Sequence, residues 1–294
     1  MANSFFISVP ETFDFKHCLS YLARSPREVL HVCNGNEVTK LVRGKDRNIL
    51  FRVTNTKRRL QVSVLNTSLT KDIKAAVESY VREWFDLDTD LEPFYALASR
   101  DRHLKVLVKE YYGYRIVGQP DLFESLVWAV IGQQINLAFA YTLKQRLVEK
   151  FGEQITIDGT TYYLFPEPRA LADVNPDDLL TLQFSRQKAR YIVGLAKSFA
   201  SGEISREKLE AMPPDERMGA LLAIKGIGTW TANYVMMRTF RHRTALPLGD
   251  AGLNAALRRA LKLDRKPTAE EVLRVFRRYR GWEAYATLYF WKSL

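Results

Sequence analysis

The stretch LLAIKGIGTWTAN, residues 221–233, sets two glycines one residue apart between two apolar helical runs. MGALLAI (218–224) has helical spacing, Lys225-Gly226-Ile227-Gly228 interrupts it, and TWTANYVMMRTF (229–240) resumes it with Thr229 as candidate N-cap. The pattern reads as helix, glycine-rich hairpin, helix. Glycines at such a corner permit positive φ and remove Cβ atoms, so the amides that open the next helix can face an anion. A dinucleotide-binding turn does not fit, because Thr231 stands at the third glycine of G-x-G-x-x-G and no strand precedes it. A tight helix corner with no ligand would use the same residues.

Charge favours a ligand. The 294 residues carry a formal net charge of +11, and Lys225 to Leu294 alone hold fourteen Lys and Arg against five Asp and Glu. A basic surplus gathered in the last quarter points to a polyanion, nucleic acid above all. With 47% hydrophobic and 26% charged residues the chain has the composition of a folded protein with a real core. Two cysteines, Cys18 and Cys33, cannot make a disulfide scaffold or a four-thiolate cluster. The histidines 17, 31, 103 and 242 are scattered, and neither a P-loop nor a G-x-S-x-G elbow occurs, so no metal or cofactor is expected. The start MANSFFISVPETFDF lacks a leader's basic and apolar regions, and no apolar run is long enough for a membrane span. These features predict a cytoplasmic chain with no membrane association.

EVTKLVRG, NILFRVTN and RRLQVSVLN, between residues 37 and 66, are rich in β-branched residues and partly alternate. They predict an antiparallel meander with one solvated face, flanked by a helix near residues 15–24 and an amphipathic one at KDIKAAVESYVREWF (71–85). From Glu92 the pattern is helical. Asp121 with Glu124, Asn136, Asn175-Pro176, Ser185, and Thr268 with Glu271 are helix starts; Gly202 and Gly281 are stops. The expected fold class is α+β: an N-terminal α+β unit over residues 1–91 and a bundle of eight to ten helices over 92–294. The loop TIDGTTYYLFPEP (156–168) is its least regular piece.

Downstream of the hairpin, in ALPLGDAGL (245–253), a lone acid, Asp250, sits in an apolar, glycine-containing loop before another helix. Alone it reads as an N-cap. Beside a phosphate-binding hairpin, its carboxylate can instead address the sugar of a nucleotide.

IKGIGTWTANY followed by PLGD resembles the hairpin and catalytic loop of the helix-hairpin-helix DNA glycosylase superfamily, in particular its 3-methyladenine DNA glycosylase II (AlkA-type) branch. FESLVWAVIGQQINLAFAYTLKQRLVEKFG (123–152) and RRYRGWEAYATLYFW (277–291) resemble the paired opening helices and the aromatic final helices of that branch. The resemblance implies a hydrolase that flips a damaged base out of double-stranded DNA and cleaves its N-glycosidic bond, and a monomer is expected. It makes Asp250 the catalytic carboxylate, places Trp230, Tyr234 and Trp291 in the base pocket, and gives the DNA backbone to Lys225, Gly226, Gly228 and Thr229. Trp282, Tyr285 and Tyr289 read as packing residues. Electron-rich rings suit a cationic alkylated purine. Gln134 falls where some relatives place an aliphatic filler for the gap left by the flipped base, and Ala251 where some place an aromatic ring. Those departures leave an oxidised purine such as 8-oxoguanine as an alternative substrate; a non-catalytic DNA-binding module, with Asp250 only a cap, is a second reading. Relatives that also cut the strand use a lysine directly after Gly-Thr; here Trp230 offers no amine, which predicts a monofunctional enzyme.

Overall fold

A computed structural model describes residues 3–294. Its N-terminal part is a five-stranded antiparallel sheet of β1 (Ser4–Ser8), β2 (His31–Asn34), β3 (Glu37–Val42), β4 (Ile49–Thr56) and β5 (Arg59–Val64), in the order β1-β5-β4-β3-β2. The three β-branched runs form the central meander, and β1 and β2 extend it at the edges. Helix α1 (Phe15–Leu22) starts where the Asp14 carboxylate accepts from the amides of Lys16 and His17. Thr70 caps α2 (Lys71–Trp84), whose Tyr80 and Trp84 pack edge-on against Phe51 of β4.

The expected solvated face is found only in part: β1 and β5 alternate buried with more exposed residues, but β3 does not. Val38 to Val42 of β3 are all buried, which requires cover on both sides. One side belongs to the main core; on the other, Leu41 and Leu50 meet Leu164, Ile155, Ile157 and Tyr162. The covering piece is a hairpin, β6 (Gln154–Ile157) and β7 (Thr160–Tyr163), inside the segment expected to be least regular. Asp158 and Gly159 both have positive φ, the requirement of a two-residue hairpin turn, so the Asp-Gly pair was the signal.

The rest is helical: α3 (Glu92–Ala98), α4 (Leu104–Glu110), α5 (Leu122–Gly132), α6 (Leu137–Phe151), α7 (Pro168–Ala172), α8 (Pro176–Leu180), α9 (Arg186–Ala200), α10 (Arg206–Glu210), α11 (Pro214–Ala223), α12 (Thr229–Arg238), α13 (Ala251–Ala260), α14 (Ala269–Phe276) and α15 (Glu283–Lys292). Thirteen helices exceed the expected eight to ten, because α7, α8 and α10 are five-residue pieces. Each forms at a proline in its first turn or a serine cap. Asp121, Asn136, Asn175 and Ser185 cap as the sequence predicts, and Thr268 with Glu271 closes a capping box. Gly202 and Gly281 take the left-handed conformation that ends a helix. A continuous core joins sheet and bundle, and a buried ion pair, Lys144 of α6 to Glu28 at 2.5 Å, crosses between them. No helix among the described residues is long and apolar enough to cross a membrane.

Candidate active site

The hairpin between α11 and α12 depends on one glycine for its shape and leaves the other free. Gly226 has φ +92°, and a Cβ there would lie 2.5 Å from the ring of Tyr191 on α9. Gly228 is extended at φ −93° and a Cβ would meet nothing within 4 Å. The expected cap is corrected: Gly228 is the N-cap, Thr229 is the first helical residue, and no side chain caps the helix. The opening amides of α12 are therefore left without a protein acceptor, and Lys225, Gly228 and Thr229 are exposed beside them. The Gln133 side-chain amide donates to Gly226 O at 2.9 Å and to Thr231 Oγ1 at 3.1 Å, which ties the α5–α6 turn to the hairpin. Gln134 stands exposed at the tip of that turn with φ +55°.

Asp250 is half-buried at the start of α13. Its Oδ1 accepts from the Leu253 amide at 2.7 Å and from Trp291 Nε1, also at 2.7 Å; its Oδ2 accepts from Trp230 Nε1 at 3.0 Å. It is thus a helix cap and the focus of a tryptophan pair brought from α12 and α15. An ionised carboxylate has about four acceptor positions, so one on Oδ2 stays open. Trp230 stacks on Tyr234, one turn further along α12, with ring centroids 5.6 Å apart, and Trp291 lies 6.5 Å from Tyr234. Trp128 of α5 donates to the Tyr234 hydroxyl at 3.0 Å. The expected pocket residues are together, with a task the sequence did not reveal: both indole N–H groups hold the carboxylate.

Asp250 is fixed from behind as well. Asn233 of α12 accepts from the Leu246 amide at 3.0 Å, which anchors the loop, and Gly249 turns it with φ +87°. A Cβ on Gly252 would come within 3.2 Å of both Asp250 Oδ1 and Trp291 Cδ1. The site therefore combines a rigid anion-facing hairpin with a carboxylate held among aromatic rings.

The model of the HhH-GPD superfamily of base excision DNA repair proteins matches residues 127–280, a span that includes both the hairpin and Asp250. The chain belongs to the HhH-GPD superfamily. The N-terminal domain model of 8-oxoguanine DNA glycosylase matches residues 7–126. A DNA-3-methyladenine glycosylase of Bacillus subtilis (strain 168) is 41% identical over 291 residues, 98% of this chain and 96% of that protein. A 3-methyladenine DNA-glycosylase from Archaeoglobus fulgidus shares the fold with a TM-score of 0.84 at 24% identity, covering 98% of this chain and 97% of that one. An 8-oxoguanine glycosylase/lyase from Clostridium acetobutylicum does so with a TM-score of 0.75 at 20% identity, covering 99% and 96%.

In this HhH-GPD chain Trp282, Tyr285 and Tyr289 are buried packing residues, as expected. Sequence reasoning missed Gln133, Asn233, Gly252 and Arg238, whose buried guanidinium lies 5.8 Å from the Tyr234 ring and 5.4 Å from that of Trp291. Arg238 had a signal: it follows Trp230 and Tyr234 at four-residue spacing on one face of α12. The other three act through contacts between segments far apart in sequence.

Proposed function

We propose that this chain is a monofunctional DNA glycosylase that takes a damaged, alkylated purine from double-stranded DNA and hydrolyses its N-glycosidic bond. The observation that carries the reading is the Asp250 carboxylate held by Trp230 and Trp291 at 3.0 and 2.7 Å. The open amides of α12, with Lys225, Gly226, Gly228 and Thr229, bind phosphates without reading sequence. Gln134, at the exposed turn, enters the gap left by the flipped base. The rings of Trp230, Tyr234 and Trp291 receive the base. Asp250 then stabilises the positive charge that grows on the sugar, and its open acceptor position on Oδ2 orients water toward C1′. The enzyme works as a cytoplasmic monomer with residues 1–91 as accessory unit and 92–294 as catalytic unit. The match of residues 7–126 to an 8-oxoguanine glycosylase domain supports an oxidised purine as second substrate class, but Trp230 leaves the chain without the lyase amine.

The test is a panel of duplexes, each with one lesion, treated with the wild type and with Asp250→Asn. The wild type should release an alkylated purine, leave the strand intact before alkali, and form no adduct with borohydride. Asn still caps α13, so binding should persist while excision falls by about a hundredfold or more. Full excision by the variant would refute the role of Asp250, and release of nothing by the wild type would refute the enzyme.

A further inference from the structure

We propose that Arg238 is a specificity-determining residue of the site: its buried cation, set against the rings that receive the base, favours the release of neutral purines over cationic ones. The proposal rests on the glycosylase reading above. Trp230, Tyr234 and Arg238 follow one another at four-residue spacing along one face of α12. Side chains on a helix lean toward its N-terminus, so the long arm of Arg238 reaches back toward the rings that precede it. Its Cζ lies 5.8 Å from the Tyr234 ring centroid and 5.4 Å from that of Trp291, whose Nε1 is on Asp250. The Tyr21 ring, 4.5 Å away, closes another side of the guanidinium. Trp291 thus carries the Asp250 carboxylate at its edge and a guanidinium over its face.

Arg238 is 2% exposed, whereas Trp230, Trp291 and Asp250 are half-buried, so the cation lies deeper than the groups around it. Its side chain makes one hydrogen bond, to Val117 O at 2.8 Å, and its buried Nε has no partner. The ionisable groups that act on it most are Tyr21, Tyr234, Tyr114 and Arg24, and no carboxylate is among them. A buried cation without a counter-charge is costly, and one carbonyl hydrogen bond offsets only part of that cost. What the charge gives the site is a field. Cleavage breaks the C1′–N9 bond and leaves its electron pair with the purine, while positive charge grows on the sugar beside Asp250. Water then adds to C1′, and its proton goes to the purine anion, or to solvent where the base leaves neutral. A neutral purine becomes negative along this path, and the Arg238 cation stabilises it. A cationic alkylpurine only becomes neutral. It meets a like charge on entering, and the Tyr234 and Trp291 rings that would attract it already carry a guanidinium.

The experiment compares single-turnover excision of hypoxanthine, which is neutral, and 7-methylguanine, which is cationic in DNA, from otherwise identical duplexes at saturating enzyme. The full chain is set beside Arg238→Met, Arg238→Gln and Arg238→Lys. Met removes the charge, Gln removes it but can still donate to Val117 O, and Lys keeps it. Met and Gln should lose about tenfold or more on hypoxanthine and little on 7-methylguanine, the scale of removing one electrostatic stabiliser from a dry site. Lys should keep the wild-type ratio of the two rates. All four proteins should bind a duplex with an abasic site equally, since it presents no base to the cation. Equal losses on both lesions in Met and Gln, no loss on either, a ratio in Lys that shifts as far as in Met, or abasic-site binding lost in Met and Gln would each make Arg238 a structural contact and overturn the proposal. A wild type that excises 7-methylguanine but not hypoxanthine would overturn it too. A wild type that excises neither would overturn the glycosylase reading itself.

Discussion

At the scale of single residues, Asp250 was readable as a type and a place, but not as a geometry. An acid before a helix caps it, and this one does so through Leu253. What makes it more than a cap is the pair of indole N–H groups, and the side chain missing from Gly252 makes room for one of them. With a Cβ 3.2 Å from both Asp250 Oδ1 and Trp291 Cδ1, Gly252→Ala must push the two apart by a few tenths of an ångström. Excision should drop by about tenfold, because small misplacement of a reacting group is costly. The kcat of the variant in single-lesion duplexes checks this, and an unchanged kcat would show that the contact has slack.

At the scale of the element, the two hairpin glycines have different physical reasons. Gly226 serves the fold: it needs positive φ, and the Tyr191 ring occupies the space of a side chain. Gly226→Ala should destabilise the protein by about 2 kcal/mol or more, through strain and overpacking together, as read by urea denaturation. Gly228 has no such constraint within the chain, and the proposed DNA contact is what its lack of a side chain would serve. Gly228→Val should stay within about 1 kcal/mol of wild-type stability yet weaken binding to damaged and undamaged duplex alike. Intact DNA affinity in that variant would return the hairpin to a simple helix corner.

At the scale of the whole molecule, the joint between sheet and bundle carries ionisable groups that set acid stability. Burial lowers His31 on β2 to about 4, despite Glu28 beside it. Below its ordinary value of 6.5 the unfolded chain therefore binds a proton that the folded chain refuses, and stability falls as pH drops from about 6.5 to about 4. Glu28 acts in the same direction at lower pH: burial opposes its ionisation, but Lys144 outweighs it and holds the carboxyl at about 2. Its contribution is present above its ordinary 4.5 and is lost as pH falls toward 2. Urea midpoints measured from pH 7 to pH 3 should fall throughout, and His31→Gln should flatten the upper part of that decline. A flat profile in the wild type would contradict the half-buried placement of His31 beside Glu28 and Lys40.

Much of the fold and half of the site could be read directly. Caps such as Asp121, Asn136 and Thr268, the meander strands, the hairpin glycines and the Asp250 loop are local patterns, because a cap or a turn is satisfied within a few residues. The hairpin over Leu41 and Leu50 escaped, since a sheet face takes cover from any part of the chain. The same holds for the carboxylate. The sequence alone determined that an acid follows a glycine-bearing helical hairpin in a basic, tryptophan-bearing chain. Only the tertiary structure decided that Trp230 and Trp291, 61 positions apart, both turn their N–H groups onto Asp250 and that Tyr21 reaches Arg238 across more than 200 residues. Local sequence fixes backbone conformation, whereas the meeting of distant side chains depends on how the whole core packs.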